Sequence, residues 1–270
     1  MNIKSSSIVC ISHIGKRPNH EDNFLIDGPY LTSDIQKQMP DNRCYFTSNV
    51  SFSNIHLFAV SDGMGGHNAG EVASRICVEN LSVAYSKLQH YHSLKEAVAY
   101  LQTVIAEIND TVCNMGRKQP ELKGMGATLV LLLAYKGEYA LLNVGDSRAY
   151  HFSNTAITQI TKDHTEGQRM LDLGLLTRRE LSGFPACKNL NRYIGYDQNG
   201  YVLQADEYYP VLENGVVLLC SDGISDFLSN AQISEILSTA SNLEIAGMQL
   251  INEAVSAPNA DNATAILITT

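Results

Sequence analysis

Two strongly apolar stretches of this sequence each lead into the dipeptide Asp-Gly, and this repeated feature places the strictest limit on the fold. Residues 55–61 read IHLFAVS and precede the Asp-Gly pair at 62–63, while residues 216–220 read VVLLC and lead to a second pair at 222–223. Short apolar runs bounded by turn residues are typical of buried β-strands. Because Asp-Gly is a tight-turn signal, each run predicts a strand with a carboxylate at its end.

Further strand-like runs occur along the chain. Lys136-Gly137 separates two of them and predicts a β-hairpin. The predicted strands are 55–61, 127–135, 139–144, 149–152, 157–160, 216–220 and 263–269.

Apolar residues at helical spacing predict helices in two parts of the chain, with a short piece near 166–173. Ser93 followed by Glu96 is a capping-box signature for the second helix, and Ser241 followed by Glu244 is one for the last. The main predicted helices are 69–88, 94–112, 230–237 and 243–255.

Strands in blocks with helices in pairs predict an α+β or layered αββα fold rather than a βαβ alternation. No internal repeat, low-complexity tract or linker divides the sequence, which favours one domain over residues 1–270. Residues 28–54 and 161–195 are interpreted as long, irregular loops, the first of them without an assigned role. Loops of this length inside a compact domain are often functional.

The charge balance excludes two classes of partner. Nineteen Lys and Arg residues against 28 Asp and Glu residues give a formal net charge of −9. Nucleic acid and anionic membrane surfaces both require basic patches, so neither is an expected partner. Most of the acidic side chains are expected to be solvated surface groups.

The sequence predicts a cytoplasmic protein. Its longest apolar run, 127–134, is far shorter than the ~20 residues that span a bilayer, and the N-terminal stretch lacks the pattern of a signal peptide. The six Cys residues are scattered without a C-x-x-C pair, which favours reduced thiols over disulfides or a zinc site.

Acidic residues also stand at turns beside strands or glycines. If several carboxylates from distant segments meet, they repel one another unless cations neutralise them. Mg²⁺ and Mn²⁺ prefer such oxygen ligands, and two ions ~3.5–4 Å apart can activate a water for in-line attack on phosphorus. Spacing alone does not show that these acids meet. The acidic elements are Glu21-Asp22, Asp62, Asp146, Asp222 and Asp261.

Seven short motifs occur in a fixed order along the chain. With them, the sequence resembles the metal-dependent Ser/Thr protein phosphatases of the PPM (PP2C-like) family in their bacterial form, from about residue 9 to the last residue. The motifs are RPNHED (17–22), DGMGGHNAGEVAS (62–74), GMGATL (124–129), NVGDSRAY (143–150), TKDHT (161–165), SDGISD (221–226) and DNAT (261–264).

The resemblance implies a fold and an activity. The fold is a four-layer αββα sandwich of two mostly antiparallel sheets flanked by helix pairs, with a flap at about 163–195 beside the active site. The activity is hydrolysis of phosphoserine and phosphothreonine in proteins. A binuclear Mn²⁺ or Mg²⁺ centre activates a bridging water for direct in-line attack, without a covalent phosphoenzyme.

The resemblance also assigns the ligands of the two cations. Asp62 corresponds to the ligand that bridges them, and Gly63 offers its backbone carbonyl to one of them. Asp222 and Asp261 correspond to ligands of the other cation.

Four further residues receive roles by the same resemblance. Glu21 and Asp22 correspond to acids that hold metal-bound waters or ligate directly. Asp146 corresponds to an acid that supports, with Asp222, a third and weaker metal site. Arg17 corresponds to the residue that grips the substrate phosphate, for which a guanidinium fork is well suited.

The sequence departs from the family pattern at three places, one of which is the segment 28–54, longer than in compact bacterial members. Met64 stands where many eukaryotic members have a His proposed as general acid. The proton for the leaving group must therefore come from a metal-bound water or elsewhere. His67 is a candidate, although a structural role at the start of a helix is favoured. In the flap, residues 184–188 read FPACK where a His-Pro and a basic residue are usual, which leaves substrate preference open.

Other polar residues of the motifs receive structural interpretations. His20 is interpreted as a partly exposed loop residue, and His164 as a structural hydrogen-bonding residue that leads into the flap. Asp226 is expected to cap or brace the helix after Asp222 rather than to bind metal.

Three functions remain open at this level. The first is a protein phosphatase acting on phosphoprotein substrates and reversing a cognate bacterial Ser/Thr kinase, as a monomer. The second is a catalytically silent member that serves as a scaffold, but silent members usually lose ligand acids, and all of the matched acids are present here. The third is a metal-dependent hydrolase of small phosphomolecules.

Overall fold

The computed structural model describes residues 5–32, 34–35, 39–65, 69–181, 185–197 and 200–270. Short 3₁₀ turns lie at Pro40–Asn42, Pro120–Leu122 and Pro185–Lys188. The helices are α1 (Ala69–Leu88), α2 (Leu94–Lys118), α3 (Glu166–Asp172), α4 (Arg178–Leu181), α5 (Asp222–Ser225), α6 (Asn230–Thr239) and α7 (Leu243–Val255). The strands are β1 (Ser5–His13), β2 (Asp22–Ile26), β3 (Arg43–Ser51), β4 (Ile55–Met64), β5 (Gly126–Ala127), β6 (Leu129–Tyr135), β7 (Glu138–Val144), β8 (Arg148–Ser153), β9 (Ala156–Gln159), β10 (Asp206–Tyr208), β11 (Val216–Cys220) and β12 (Ala263–Thr269).

These strands form two antiparallel sheets, each with six strands among the described residues. One sheet has the order β3-β1-β12-β11-β8-β9, and the other has the order β10-β7-β6-β4-β2, with β5 paired to β4. The hairpin predicted at Lys136-Gly137 joins β6 to β7.

Side-chain alternation along the strands builds four layers. In β12, Ile266 and Ile268 pack between the two sheets, while Ala265 and Leu267 pack against α6 and α7. Strand β6 alternates in the same way, so that its other face packs against α1 and α2. The structure is therefore a helix–sheet–sheet–helix sandwich, and the predicted αββα fold is confirmed.

The starts of two helices differ from their predicted capping boxes. Helix α2 has the predicted Ser93 cap, but the Glu96 carboxylate accepts the backbone N–H of His92 rather than that of Ser93. Helix α7 is capped by Asn242, whose side chain accepts the backbone N–H of Ile245, so the box predicted at Ser241 is wrong. Asn is as good an N-cap as Ser, and here the helix begins one residue later than the box requires.

The prediction that residues 28–54 form an irregular loop is wrong for 43–51, which form β3 along the edge of one sheet. Cys44, Phe46 and Val50 pack only partly against the core between the sheets, and polar residues alternate with them. An edge strand needs few apolar residues, because one side of it stays open to solvent. The run 127–135 is also not one strand, since Thr128 separates β5 from β6.

No helix in the described part of the chain combines the length and the apolar composition needed to cross a bilayer.

A buried ion pair joins β4 to the end of β2. His56 is 8% exposed, with Nδ1 2.9 Å from Oδ2 of Asp27 and Nε2 3.0 Å from the carbonyl oxygen of Ser51. Both partners accept, so the imidazole donates from both nitrogens and carries a charge. Burial lowers the pKa of His56, but the hydrogen bond and charge of Asp27, with the Ser51 carbonyl, outweigh burial and raise the pKa above its usual 6.5.

We expect this pair to make stability depend on pH. A raised folded-state pKa contributes stability that is fully present below the unfolded value of about 6.5 and is lost as the pH rises through the folded value. In the wild type, the free energy of unfolding measured with urea should therefore be lower at pH 8.5 than at pH 6. In Asp27→Asn this contribution to the difference should disappear. The amide introduced by this substitution keeps an acceptor for the backbone N–H of Leu57, and asparagine tolerates the φ of 59° at this position. An unchanged pH difference in Asp27→Asn would contradict this assignment.

Candidate metal centre

The central acidic side chains come from strand ends of both sheets. Asp22 begins β2 and lies directly opposite Asp62 in β4. Asp222 follows β11 at the start of α5, and Asp261 lies just before β12, the neighbour of β11. Both sheets therefore deliver carboxylates to one end of the sandwich.

The carboxyl groups are close enough to interact. Asp22, Asp62 and Asp222 all interact electrostatically with one another. Asp146, in the turn between β7 and β8, lines a cavity of about 530 Å³ with Asp62 and Asp222. The structure thus brings together acids that spacing alone left separate.

The other sequence-predicted site residues surround this group. Arg17 is 55% exposed, and its Nη2 donates to Oδ2 of Asp261 at 2.5 Å. Glu21 interacts electrostatically with both Arg17 and Asp261, and its backbone carbonyl accepts the N–H of Gly63 at 3.1 Å.

Gly63 and Gly70 make a close backbone contact where β4 meets the start of α1. A Cβ on Gly63 would lie 2.1 Å from the carbonyl oxygen of Gly70 and 2.8 Å from that of Glu21. A Cβ on Gly70 would lie 2.8 Å from the carbonyl oxygen of Gly63. Only glycine at both positions allows this approach, which keeps the Gly63 backbone beside the acids.

Buried hydroxyl groups orient Asp22, which is 1% exposed. Ser221 Oγ donates to its Oδ2 at 2.7 Å, and the side chain of Thr264 also favours the charged form, which lowers the pKa of the same carboxyl group. Its Oδ1 is buried with no hydrogen-bond partner in the described part of the chain. Sequence reasoning missed these two hydroxyls, although Ser221 stands beside Asp222 in its motif.

Without a cation, the environment disfavours the charged carboxylates. Burial, together with the charges of Asp222 and Asp261, raises the pKa of Asp22 to about 7 against the hydrogen bonds that lower it. Burial and then Asp222 raise the pKa of Asp62 well above its usual range, and burial with the Asp222 charge raises that of Asp146 to about 8. Burial and Asp226 raise the pKa of Asp222 to about 6.

These observations fit hard divalent cations. A buried oxygen without a partner and several carboxyls that repel one another are both relieved by positive charge at the same place. No three His, Cys, Asp or Glu side chains among the described residues are placed to hold an ion by themselves. A cation here would therefore also need backbone carbonyl oxygen and water, ligands that Mg²⁺ in particular retains.

The flap covers one side of this cavity. Lys188, Asn189, Leu190 and Tyr193 line it together with Asp62. Lys188 Nζ lies 2.5 Å from Oδ2 of Asp226, which ties the flap to the end of α5.

A second cleft extends away from the cavity under the flap. Its volume is about 1100 Å³, and it shares Asp146, Lys188 and Asp222 with the first. The predicted flap therefore lies beside the acids.

The structure places the histidines of the motifs as follows. His164 is buried and bonded on both ring nitrogens, as predicted. His20 is 6% exposed with Nε2 3.0 Å from Ser12 Oγ, so its interpretation as a partly exposed residue is wrong. His67 lies outside the described residues, and Met64 lines the cavity without a group that can donate a proton.

Solved structures share this sandwich. The serine/threonine phosphatase of S. agalactiae superposes with a TM-score of 0.82 at 24% identity, covering 98% of this chain and 99% of that one. The catalytic domain of the serine/threonine protein phosphatase PstP, in complex with two manganese ions, gives a TM-score of 0.74 at 26% identity, covering 98% of this chain and 99% of its own. This chain thus has the fold of these two structures.

Sequence comparison identifies the family. The family model for protein phosphatase 2C matches residues 35–253. The serine/threonine phosphatase stp of Listeria innocua is 32% identical over 213 residues, which cover 78% of this chain and 83% of that protein. The chain belongs to the protein phosphatase 2C family. The predicted family and enzyme class, a hydrolase, are confirmed.

Proposed function

We propose that this chain is a bacterial-type protein serine/threonine phosphatase that uses Mn²⁺ or Mg²⁺ to hydrolyse phosphoserine and phosphothreonine in proteins. The observation that carries the proposal is the carboxyl cluster of buried Asp22 with half-buried Asp62 and Asp222, contributed by both sheets of a protein phosphatase 2C sandwich. The two manganese ions of the PstP complex support a binuclear centre.

Four residues would hold the two cations. Asp62 interacts with both Asp22 and Asp222, so it would be the ligand common to the two cations. Gly63 would add its carbonyl oxygen on one side, and Asp222 with Asp261 would ligate on the other.

Other acids would complete the centre. Glu21 and Asp22 would hold coordinated waters or ligate directly, and Asp146 with Asp222 would support a weaker third site. The raised pKa of Asp146, caused by burial and by the Asp222 charge, agrees with a place for positive charge between them.

The protein groups divide the remaining work. When bound, the cations supply the Lewis acidity that activates water for in-line attack and neutralise charge on the phosphoryl oxygens. Arg17 stands exposed beside Asp261, where its guanidinium can bind and orient the substrate phosphate. Ser221 fixes Asp22 by its hydrogen bond, and the flap residues Lys188, Asn189, Leu190 and Tyr193 line the cavity in which the substrate would bind. Met64 supplies no proton to the leaving hydroxyl group.

The biological setting remains part of the proposal. The chain would act in the cytoplasm as a monomer on phosphoproteins, including a cognate Ser/Thr kinase and its targets. Relatives named serine/threonine phosphatase support phosphoprotein substrates.

Hydrolysis of a set of phosphoserine and phosphothreonine peptides tests this function. We expect turnover with Mn²⁺ or Mg²⁺, complete loss when EDTA removes the cation, and recovery when Mn²⁺ is restored, because the proposed nucleophile is a water that the cations would activate. p-Nitrophenyl phosphate and a nucleoside monophosphate serve as small-molecule comparisons. Activity that survives chelation would overturn the cation requirement. Hydrolysis of the small esters alone would favour the small-molecule alternative, and Mn²⁺ binding without any turnover would favour the scaffold.

A further inference from the structure

One carboxylate outside the acidic cluster joins both ends of the flap. Asp206, in the edge strand β10, accepts Nε2–H of His164 on Oδ2 at 3.1 Å and Nη1–H of Arg192 on Oδ1 at 2.5 Å. His164 stands at the entry to the flap, and Arg192 stands at its exit. The two oxygens of one side chain therefore hold the two stems.

The same histidine reaches the turn that carries Asp146. The backbone N–H of Gly145 donates to Nδ1 of His164 at 2.9 Å, and the backbone N–H of His164 donates to the carbonyl oxygen of Gly145 at 2.9 Å. Because Nδ1 accepts, the ring proton is on Nε2 and must be donated to Asp206. His164 is 5% exposed, so water is a poor substitute for this acceptor.

Backbone contacts make the stems and the turn one unit. The N–H of Asn191 donates to the carbonyl of His164 at 2.9 Å, and the N–H of Glu166 donates to that of Asn189 at 2.9 Å. Strand β10 pairs with β7 so that Asp206 lies opposite Asn143, two residues before Gly145.

We propose that Asp206 is a positioning residue that locks the two flap stems together and, through His164, fixes the Gly145–Asp146 turn at the edge of the site. Asp206 acts through His164 and Arg192 rather than on the substrate. The catalytic consequence rests on the proposed phosphatase function, whereas the locking of stems and turn does not.

A carboxylate is required at this position. Both partners donate to it, one from an imidazole and one from a guanidinium group. An amide has one accepting oxygen, so in Asp206→Asn either His164 or Arg192 would face an N–H₂ group donor to donor. Asp206→Asn therefore removes the hydrogen bond to His164 or the one to Arg192, whichever way the amide turns.

Amide hydrogen exchange and limited trypsin digestion of the full chain test the proposal without any substrate. For Asp206→Asn we expect the Gly145 amide to exchange, and trypsin to cleave at the exposed flap residues Arg178 and Arg179, about tenfold faster, as loss of a charge-assisted hydrogen bond would allow. Glu207→Gln is the matched control. It makes the same chemical change one residue away, at an exposed side chain bonded to Gln102 and Tyr209, and should change neither readout.

A second variant separates the two arms and guards against simple misfolding. Arg192→Gln removes only the contact between Asp206 and the exit stem of the flap. We therefore expect faster cleavage in the flap with the Gly145 amide still protected from exchange. If Asp206→Asn fails to fold, Arg192→Gln still decides whether the exit arm restrains the flap. Wild-type rates of both exchange and cleavage in these variants would overturn the proposal.

Kinetics with phosphopeptides provide the functional readout. The flap lines the substrate cavity, so Asp206→Asn should raise KM about tenfold with a smaller change in kcat, and Glu207→Gln should leave both at wild-type values. Altered exchange with unchanged KM would limit the role to stability and overturn its catalytic part. Absence of turnover in the wild type would contradict the proposed function and leave the exchange result valid.

Discussion

Replacing Asp62 with Asn is expected to lower kcat for a phosphopeptide by about 10³-fold or more and to leave the fold intact. Asp62 lies opposite Asp22 in the paired strands and interacts with the charges of Asp222 and Asp146. Loss of one group that stabilises transition-state charge commonly costs 10²–10³ in kcat, and loss of a shared cation ligand affects both cations at once. Steady-state assays at saturating Mn²⁺ measure the effect.

The folding of this variant can be judged separately. The backbone N–H of Asp62 donates to Thr128 Oγ1 at 3.0 Å, and this bond does not involve the side chain. Asn has nearly the same shape and is neutral, as is the Asp62 carboxyl group that burial and Asp222 keep protonated without a cation, so cation-free Asp62→Asn should melt close to the wild type. Mn²⁺ at 100 times its Kd should stabilise the wild type by about 2.7 kcal/mol and the variant by much less.

Asp110→Asn is the control for this experiment. It makes the same chemical change on an exposed position of α2, and it should change neither kcat nor the response to Mn²⁺. If Asp62→Asn retained more than about a tenth of the wild-type kcat, Asp62 would not hold the catalytic cations.

The acid-bearing strand ends were predictable because their signals are local. The runs at 55–61 and 216–220 lie in strands β4 and β11 as predicted, but the tight turns predicted at the two Asp-Gly pairs are wrong, since β4 continues through Asp62 and Gly63 to Met64 and Asp222-Gly223 begins α5. The apolar runs do not determine the register in which the strands pair. The pairing that sets Asp22 against Asp62 depends on contacts between segments 40 residues apart in the chain, and only the family resemblance indicated that the acids meet.

The partners of the site residues were less predictable. Ser221 and Thr264 are ordinary strand-end hydroxyls by sequence, and their role appears only when both sheets are in place around Asp22. Asp206 lies in a stretch without periodicity, and its two partners are 42 and 14 residues away. Strand β3 was missed because its exposed edge allows a polar composition.

The position of the acids also changes the meaning of the net charge. Most of the 28 acidic residues remain solvated, but those at the strand ends face a shared cavity in which burial resists their ionisation. Two bound divalent cations would remove four negative charges from that end of the molecule. A phosphate dianion could then approach it, with Arg17 beside the entrance, in spite of an overall charge of −9.

The second large effect is expected from Gly63→Ala, which should lower the free energy of unfolding by roughly 2–4 kcal/mol and weaken Mn²⁺ binding. The added Cβ would meet the backbone carbonyl of Gly70 at 2.1 Å. That oxygen belongs to the first turn of α1 and cannot rotate away as a side chain does. Relief therefore requires α1 to move from the end of β4, and this displaces the Gly63 carbonyl from the acids. Urea unfolding and calorimetric Mn²⁺ titration measure the two effects.

Gly28→Ala is the matched control, because a Cβ there meets no atom within 4 Å and the residue does not have a positive φ. We expect its stability to stay within about 0.5 kcal/mol of the wild type or to rise slightly, since alanine restricts the unfolded chain more than glycine does. If Gly63→Ala behaved like Gly28→Ala, the contact between β4 and α1 would be too loose to hold a ligand in place. A destabilised Gly63→Ala with unchanged Mn²⁺ affinity would show instead that the Gly63 carbonyl is not a ligand.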